Sequence, residues 1–212
     1  VDEKLMSPDI SNDLSNVVLD KIDFAVVSPG WKVDNPLILE LTRAGVSIIS
    51  AIDLAWRVKQ EIRPQQKWLA LTGTNGKTTA VQMAEAMLVA DGQNAVACGN
   101  IGITAIEAVI NSEAEILILE LSSFQLEWSV EAQFVSVAIL NIAEDHIDWH
   151  GSFDNYANAK FKITNNAETV ILNALDSAIV RRAKNLTHPI IWFSLETPKP
   201  HQLGLVENLI VD

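Results

Sequence analysis

"LALTGTNGKTTAVQMAEAM", residues 69–87, decides how the rest of the chain reads. An apolar run ends at Thr72, Gly-Thr-Asn-Gly-Lys-Thr-Thr follows, and a helical pattern opens at Lys77. Strand, glycine-bearing turn and helix in that order are the setting of a phosphate-binding loop. Gly73 and Gly76 let the main chain come close to a phosphate, with Thr74 and Asn75 between them, and the helix N-terminus adds a favourable dipole. Lys77 is placed to reach the β- and γ-phosphates, Thr78 to offer its hydroxyl to Mg²⁺, and Thr79 completes the run. The common pattern has a glycine where Leu71 stands, so this loop is a shorter variant. A turn that merely caps a helix is the bland alternative, and the three features together outweigh it. The loop says nucleotide, not what the nucleotide is for.

Outward from the loop, apolar segments at 95–98, 116–121, 135–141, 169–172, 190–193 and 205–211 join 68–72 as candidate strands. Helical patterns fall at 77–90, 104–111, 152–165 and 174–185. This alternation predicts an α/β fold of P-loop type, a mostly parallel sheet with helices on both faces, the late strands forming an antiparallel edge. Upstream, residues 21–30 read as a strand ending in Ser28-Pro29-Gly30. Asn35 and Pro36 open a helix, 46–50 is a second strand, and a further helix from Ala51 closes before Pro64. These pieces make a partial Rossmann-like unit. The expected division is 1–63 and 64–212.

Composition narrows the class. The formal charge is −12, from 27 acidic and 15 basic residues, with no basic run longer than Arg181-Arg182, so nucleic acid is not the expected partner. An apolar fraction of 49% suits a packed core. Cys98 stands alone, which excludes an internal disulfide and fits a reducing cytosol. The apolar runs are far short of the ~20 residues of a membrane span, and "VDEKLMSPDISND" is no signal pattern. The expectation is a cytoplasmic protein without a membrane partner, acting as a monomer.

Glu120 ends the run "ILILE", at the strand end where ligands sit in open α/β sheets, and a carboxylate there can hold Mg²⁺ directly or through water. Ser122, Ser123 and Gln125 are expected to line the same rim. In "AILNIAEDHIDWHGS" (138–152), Asn141 ends an apolar run, and Glu144, Asp145, His146, Asp148 and His150 crowd the loop beyond it. Imidazole with nearby carboxylates makes His146 a candidate metal ligand. His150, His188 and His201 are read as ordinary histidines. Lys160 and Lys162 fall on a short helix just past this loop, where lysine is usually solvated, and Trp149, Tyr156 and Phe161 read as packing.

Five strings occur in order: Gly-Thr-Asn-Gly-Lys-Thr (73–78), Gly-Asn-Ile-Gly (99–102), Glu-Leu-Ser-Ser-Phe-Gln (120–125), Asn-Ile-Ala-Glu-Asp-His-Ile-Asp (141–148) and Tyr-x-x-x-Lys (156–160). Together they resemble the Mur ligases, ATP-dependent amide-forming enzymes of peptidoglycan precursor synthesis. Ser-Pro-Gly at 28–30 and Ser-Ser-Phe-Gln look most like the D-glutamate-adding branch. The resemblance runs from about Lys21 to the C-terminus. It implies ATP and Mg²⁺ as cofactors, and UDP-N-acetylmuramoyl-L-alanine and D-glutamate as substrates. It makes Lys77 and Thr78 the phosphate and Mg²⁺ contacts, and places Asn100 near the phosphates and the acceptor. Glu120 and His146 resemble metal ligands, Lys160 a lysine that becomes carbamylated and then binds metal, and Asn141 an adenine-side contact. Ser28, Pro29, Gly30, Ser122 and Ser123 fall to the substrate side.

Two departures shape the expectation. No glycine precedes Gly30, where the family carries a Gly-rich turn, and no third domain follows Asp212. The chain therefore reads as the back of a first domain plus most of the ATPase domain, expected to bind ATP weakly without completing ligation alone. The rival readings are another Mur ligase, a folylpolyglutamate synthetase, or a P-loop kinase or nucleotide-binding module.

Overall fold

The computed structural model describes Leu14, residues 18–200 and 202–212, so His201 lies outside the described residues. Strand β1 (Phe24–Val27), helix α1 (Pro36–Arg43) and strand β2 (Ser47–Ser50) form a right-sized βαβ unit, the strands pairing in parallel with Phe24 opposite Ser47. The expected start signals of α1 are in place: the Asn35 side chain accepts from the Leu37 amide at 2.9 Å, and Pro36 occupies the first turn. Helix α2 (Ala51–Ile62) follows through a reciprocal cap between Ser50 and Asp53.

The main sheet begins with β3 (Lys67–Thr72), followed by α3 (Lys77–Ala90), β4 (Ala95–Gly99), α4 (Ala105–Asn111), β5 (Ile116–Glu120), α5 (Ser123–Trp128) and β6 (Phe134–Ile139). It continues with α6 (Ile147–His150), α7 (Phe153–Phe161), β7 (Ala167–Asn173), α8 (Ser177–Ala183), β8 (Ile190–Phe193), β9 (Gln202–Val206) and β10 (Leu209–Val211). The eight strands run in the order β10-β9-β8-β7-β6-β3-β5-β4. All pairs are parallel except β9–β10.

Both faces of the central strands are covered, which is why their sequences are apolar throughout rather than alternating. Leu69, Leu71 and Ile118 pack on one face with α3 through Val81. Trp68, Ala70, Leu117, Leu119, Val137 and Ile139 pack on the other with α2, α4, α5, α7 and α8. Trp68 is 1% exposed, and its indole N–H donates to Gln66 Oε1 at 3.1 Å.

Some elements differ from the sequence expectation. The single strand expected at 205–211 is a hairpin of β9 and β10, turned at Glu207 with φ 55°, and only β10 is antiparallel. The helix expected over 152–165 ends at Phe161 and tightens into a 3-10 turn at Lys162–Thr164. The helix over 174–185 shortens to Ser177–Ala183, because Asp176 caps its N-terminus, accepting from the Ala178 and Ile179 amides. Helices α5 and α6 are too short to show a helical period.

The loop carrying Ser28-Pro29-Gly30 is fastened to the main sheet's helices by two tryptophans. Trp149 Nε1 donates to the Gly30 carbonyl at 3.1 Å, and Trp128 Nε1 to the Trp31 carbonyl at 3.0 Å. Lys32 Nζ donates to the Asp148 carbonyl at 3.1 Å.

Candidate active site

Parallel register brings the chemistry together. Leu71 on β3 and Gly99 on β4 both sit opposite Glu120 on β5, so the phosphate loop, Asn100 and Glu120 emerge side by side at the carboxyl edge. On the other side of β3, Thr72 pairs with Ile139, which puts the loop of Asn141 against Thr74 and Asn75.

The phosphate loop is braced by its neighbours. Asn141 Oδ1 accepts from the Thr74 and Asn75 amides at 3.1 and 2.9 Å, and Asn141 Nδ2 donates to the Asn75 carbonyl at 3.0 Å. Asn141 thus braces the loop from the adjoining strand end. Thr74 Oγ1 accepts from the Ala143 amide at 3.0 Å and lies 3.0 Å from the Tyr156 hydroxyl. Gly76 adopts φ 79° immediately before α3, a conformation glycine takes at low cost. Lys77 Nζ donates to the Gly73 and Thr74 carbonyls at 3.0 Å each. Thr79 stands exposed one residue beyond Thr78.

Glu120 is 2% exposed. Its Oε2 accepts from Thr78 Oγ1 at 2.8 Å, its Oε1 from Asn100 Nδ2 at 3.2 Å, and its main-chain oxygen from the Asn100 amide at 2.9 Å. A buried carboxylate beside a threonine hydroxyl is an oxygen donor set suited to a hard divalent cation such as Mg²⁺. Gly99, with φ 106°, makes this approach feasible: a Cβ there would meet the Glu120 carbonyl oxygen at 2.5 Å. Gly99→Ala is therefore expected to cost about 2–4 kcal/mol through strain and a forced shift of β5, read as a loss in the denaturation free energy. An alanine variant of unchanged stability would contradict the packing at this position.

Lys160 is not solvated. It is 2% exposed; its Nζ donates to the Gly73 carbonyl at 2.7 Å and lies 4.7 Å from the centre of the Tyr156 ring. Burial first, and then the Lys77 charge, push its ammonium down to about 7. Tyr156 and Lys160, four apart on α7, share one helix face toward the loop, a spacing visible in the sequence that packing alone did not single out. Tyr156 is the site residue that sequence reasoning missed.

His146 borders this group through Tyr156, the two ring centres lying 6.4 Å apart. It adopts φ 50° at the start of α6; its Nε2 is 3.3 Å from Asp145 Oδ2, and its ring centre is 4.7 Å from that of Phe124. The acidic and histidine side chains of 144–150 do not converge: no group of three or more His, Cys, Asp or Glu positioned for a metal occurs among the described residues. His150 is buried, with Nε2 3.0 Å from Ser123 Oγ and its ring stacked on Phe124 at 5.6 Å, and burial holds its imidazole below the usual histidine range. Ser122 and Ser123 stand at the start of α5. Ser122 caps α5 in a reciprocal pair with Gln125, and Ser123 is buried against His150, because the first residues of a helix have orphan amides to satisfy. His188 has a buried Nδ1 without a hydrogen-bond partner among the described residues.

Residues 71–208 match the model of the Mur ligase middle domain. The UDP-N-acetylmuramoylalanine--D-glutamate ligase of Thermobifida fusca is 47% identical over 199 residues, covering 90% of this chain and 42% of its own length. That of Streptomyces coelicolor is 43% identical over 197 residues, covering 90% and 42%. The chain thus spans less than half of these relatives. Among solved structures, MurF of Acinetobacter baumannii superposes with a TM-score of 0.55 at 19% identity, over 74% of this chain and 42% of that one. MurF ligase of Thermotoga maritima, solved in complex with ADP, gives 0.56 at 17%, over 84% and 49%. These two likenesses concern the fold alone. The match over residues 71–208, with the fold and the five ordered motifs, shows that the chain belongs to the Mur ligase family.

Proposed function

We propose that the chain forms the ATP-binding core of a ligase that joins D-glutamate to UDP-N-acetylmuramoyl-L-alanine in the cytoplasm, acting as a monomer. The observation that carries this reading is the Thr78–Glu120–Asn100 cluster beside the braced phosphate loop, with Lys160 reaching the Gly73 carbonyl. The names of the relatives support the choice of D-glutamate. Residues 64–212 are the ATP domain in this proposal, and residues 1–63 contribute part of the UDP-substrate domain through Ser28, Pro29 and Gly30.

Lys77, released from the Gly73 and Thr74 carbonyls, would neutralise the γ-phosphoryl group while the substrate carboxylate attacks phosphorus in line and ADP departs. The acyl phosphate so formed takes the amine of D-glutamate, loses phosphate and a proton, and leaves the amide. Mg²⁺, held by Thr78 and Glu120, with His146 and the carbamate of Lys160 serving a second ion, would supply charge neutralisation on the phosphates. Asn141, Thr74 and Tyr156 keep the loop amides in place. Asn100, which bonds Glu120, would lie near the phosphates and the acceptor.

Two measurements test the reading. Titration calorimetry of this chain with MgATP is expected to give saturable binding that Lys77→Met weakens roughly 10- to 100-fold, the worth of a charge-assisted hydrogen bond. The whole open reading frame is expected to form amide with D-glutamate but not with L-lysine, diaminopimelate or a glutamylated folate. Phosphoryl transfer without an amide product would make the chain a kinase-like module, and amide formation with another amino acid would reassign the branch.

A further inference from the structure

The opposite end of the sheet carries a cavity of its own. A cavity of about 500 Å³ opens where β3, β6 and β7 begin, walled by Lys67 and Trp68, Phe134 and Val135, and Ala167 and Glu168, with Trp56, Lys59, Gln65 and Gln133 around it. It lies at the amino ends of these strands, whereas the phosphate loop leaves the carboxyl end of β3.

Lys59 gives the cavity its character. The residue is 4% exposed, yet its Nζ has a single hydrogen-bond partner, the Pro64 carbonyl at 2.8 Å, and lies 4.6 Å from the centre of the Trp56 ring. No carboxylate among the described residues pairs with it. Burial holds the ammonium below its ordinary value, with a lone carbonyl and one indole face as its partners. The helix C-terminus accounts for the charge of Lys59 but not for its cavity. The walls are preformed: Trp56 meets Trp68 edge-on at 5.2 Å, and Gln66 ties Trp68 to the Ala114 carbonyl. Two lysines face one glutamate on this wall, in a chain whose net charge is −12.

The geometry points to a binding site for a small organic anion with an apolar body, its carboxylate or phosphate on the Lys59 ammonium and its body against Trp56 and Phe134. The site is independent of the ligase reading, because no residue of it touches the phosphate loop.

Benzoate, phenyl phosphate and inorganic phosphate are the probes, titrated into the ¹⁵N-labelled chain and followed by amide and indole shifts. The expected result is saturable movement of the Trp56 indole and of the Lys67, Phe134 and Ala167 amides. Dissociation constants of about 1 mM or below are expected for the aromatic probes, and weaker binding for phosphate alone. The stronger of benzoate and phenyl phosphate tells whether carboxylate or phosphate is preferred. Lys59→Met is expected to weaken binding at least tenfold, Lys59→Arg to retain it, and saturating ATP to leave it in place. Absence of saturation in the unaltered chain overturns the proposal, whatever the variants do. So does unchanged affinity in Lys59→Met, or displacement of the probe by ATP.

Discussion

Replacing Lys160 by methionine is expected to stabilise the fold and to abolish amide formation. The ammonium is buried and held to about 7 from an ordinary value of 10.5. In the unfolded chain it regains the ordinary value, so between about pH 7 and 10.5 the unfolded state holds a proton that the native state has released. Native stability therefore rises with pH across that window. Below about pH 7 both states are protonated and the full penalty, of the order of 3–5 kcal/mol, weighs on the fold. Methionine fills similar volume without the charge, so the variant should gain most below pH 7 and lose this rising slope. Denaturant titrations near pH 6 and pH 9 in CO₂-free buffer measure both terms. A variant less stable than the parent near pH 6, or a parent whose stability is flat across the window, would sink the argument.

The same substitution removes the only side chain that reaches the Gly73 carbonyl from α7, and with it the amine proposed to become a carbamate. Activity of the whole open reading frame is expected to fall about 10³-fold, the scale of losing one electrostatic partner of a transition state. A stabilised, inactive variant is the signature of a strained functional residue. A variant both less stable and partly active would make Lys160 a packing residue.

Lys160 also shows where the sequence stops being legible. Strand, loop and helix at 68–90 could be read directly, since Gly73, Gly76 and Lys77 state their conformational and chemical needs locally. Glu120 was readable as a strand-end carboxylate because the parallel register follows from the alternation of strands and helices. Burial of a lysine is a tertiary fact. Nothing in "NYANAKFKI" separates Lys160, which is buried, from Lys162, whose Nζ pairs with Glu127 Oε1 at 2.8 Å beside solvent. The serines after Glu120 show the converse: Ser and Gln three apart fit both a polar rim and a helix cap, and the cap forms because α5 begins there. The charged string 144–150 looked like one ligand shell. The left-handed turn at His146 and the short helix after it instead set both imidazoles, His146 and His150, against Phe124 and Tyr156.

Asp53→Ala is expected to destabilise the fold strongly, by about 3–5 kcal/mol. Asp53 lies on α2, is 0% exposed, and does more than cap its own helix. Its Oδ1 accepts from Ser129 Oγ at 3.1 Å and from the Glu131 and Ala132 amides at 2.9 and 3.1 Å, while the Val130 amide reaches both oxygens. Alanine would remove the shared acceptor of all four donors, of which the Ala132 amide is buried and the others part-buried, at the segment that leads into β6. Asparagine keeps one acceptor but turns an NH₂ toward the Val130 and Ser50 amides, so Asp53→Asn should cost about half as much. The ranking Ala worse than Asn, with denaturant slopes unchanged, is the expected outcome of urea titrations. Equal costs would mean that the helix cap alone matters; a cost below about 1 kcal/mol for alanine would mean that the loop finds other partners. The consequence reaches the active edge, because β6 starts beside this anchor and leads, past Ile139, to Asn141, which holds the Thr74 and Asn75 amides. A loosened start of β6 is expected to weaken MgATP binding in the asparagine variant as well, at a position remote from any phosphate.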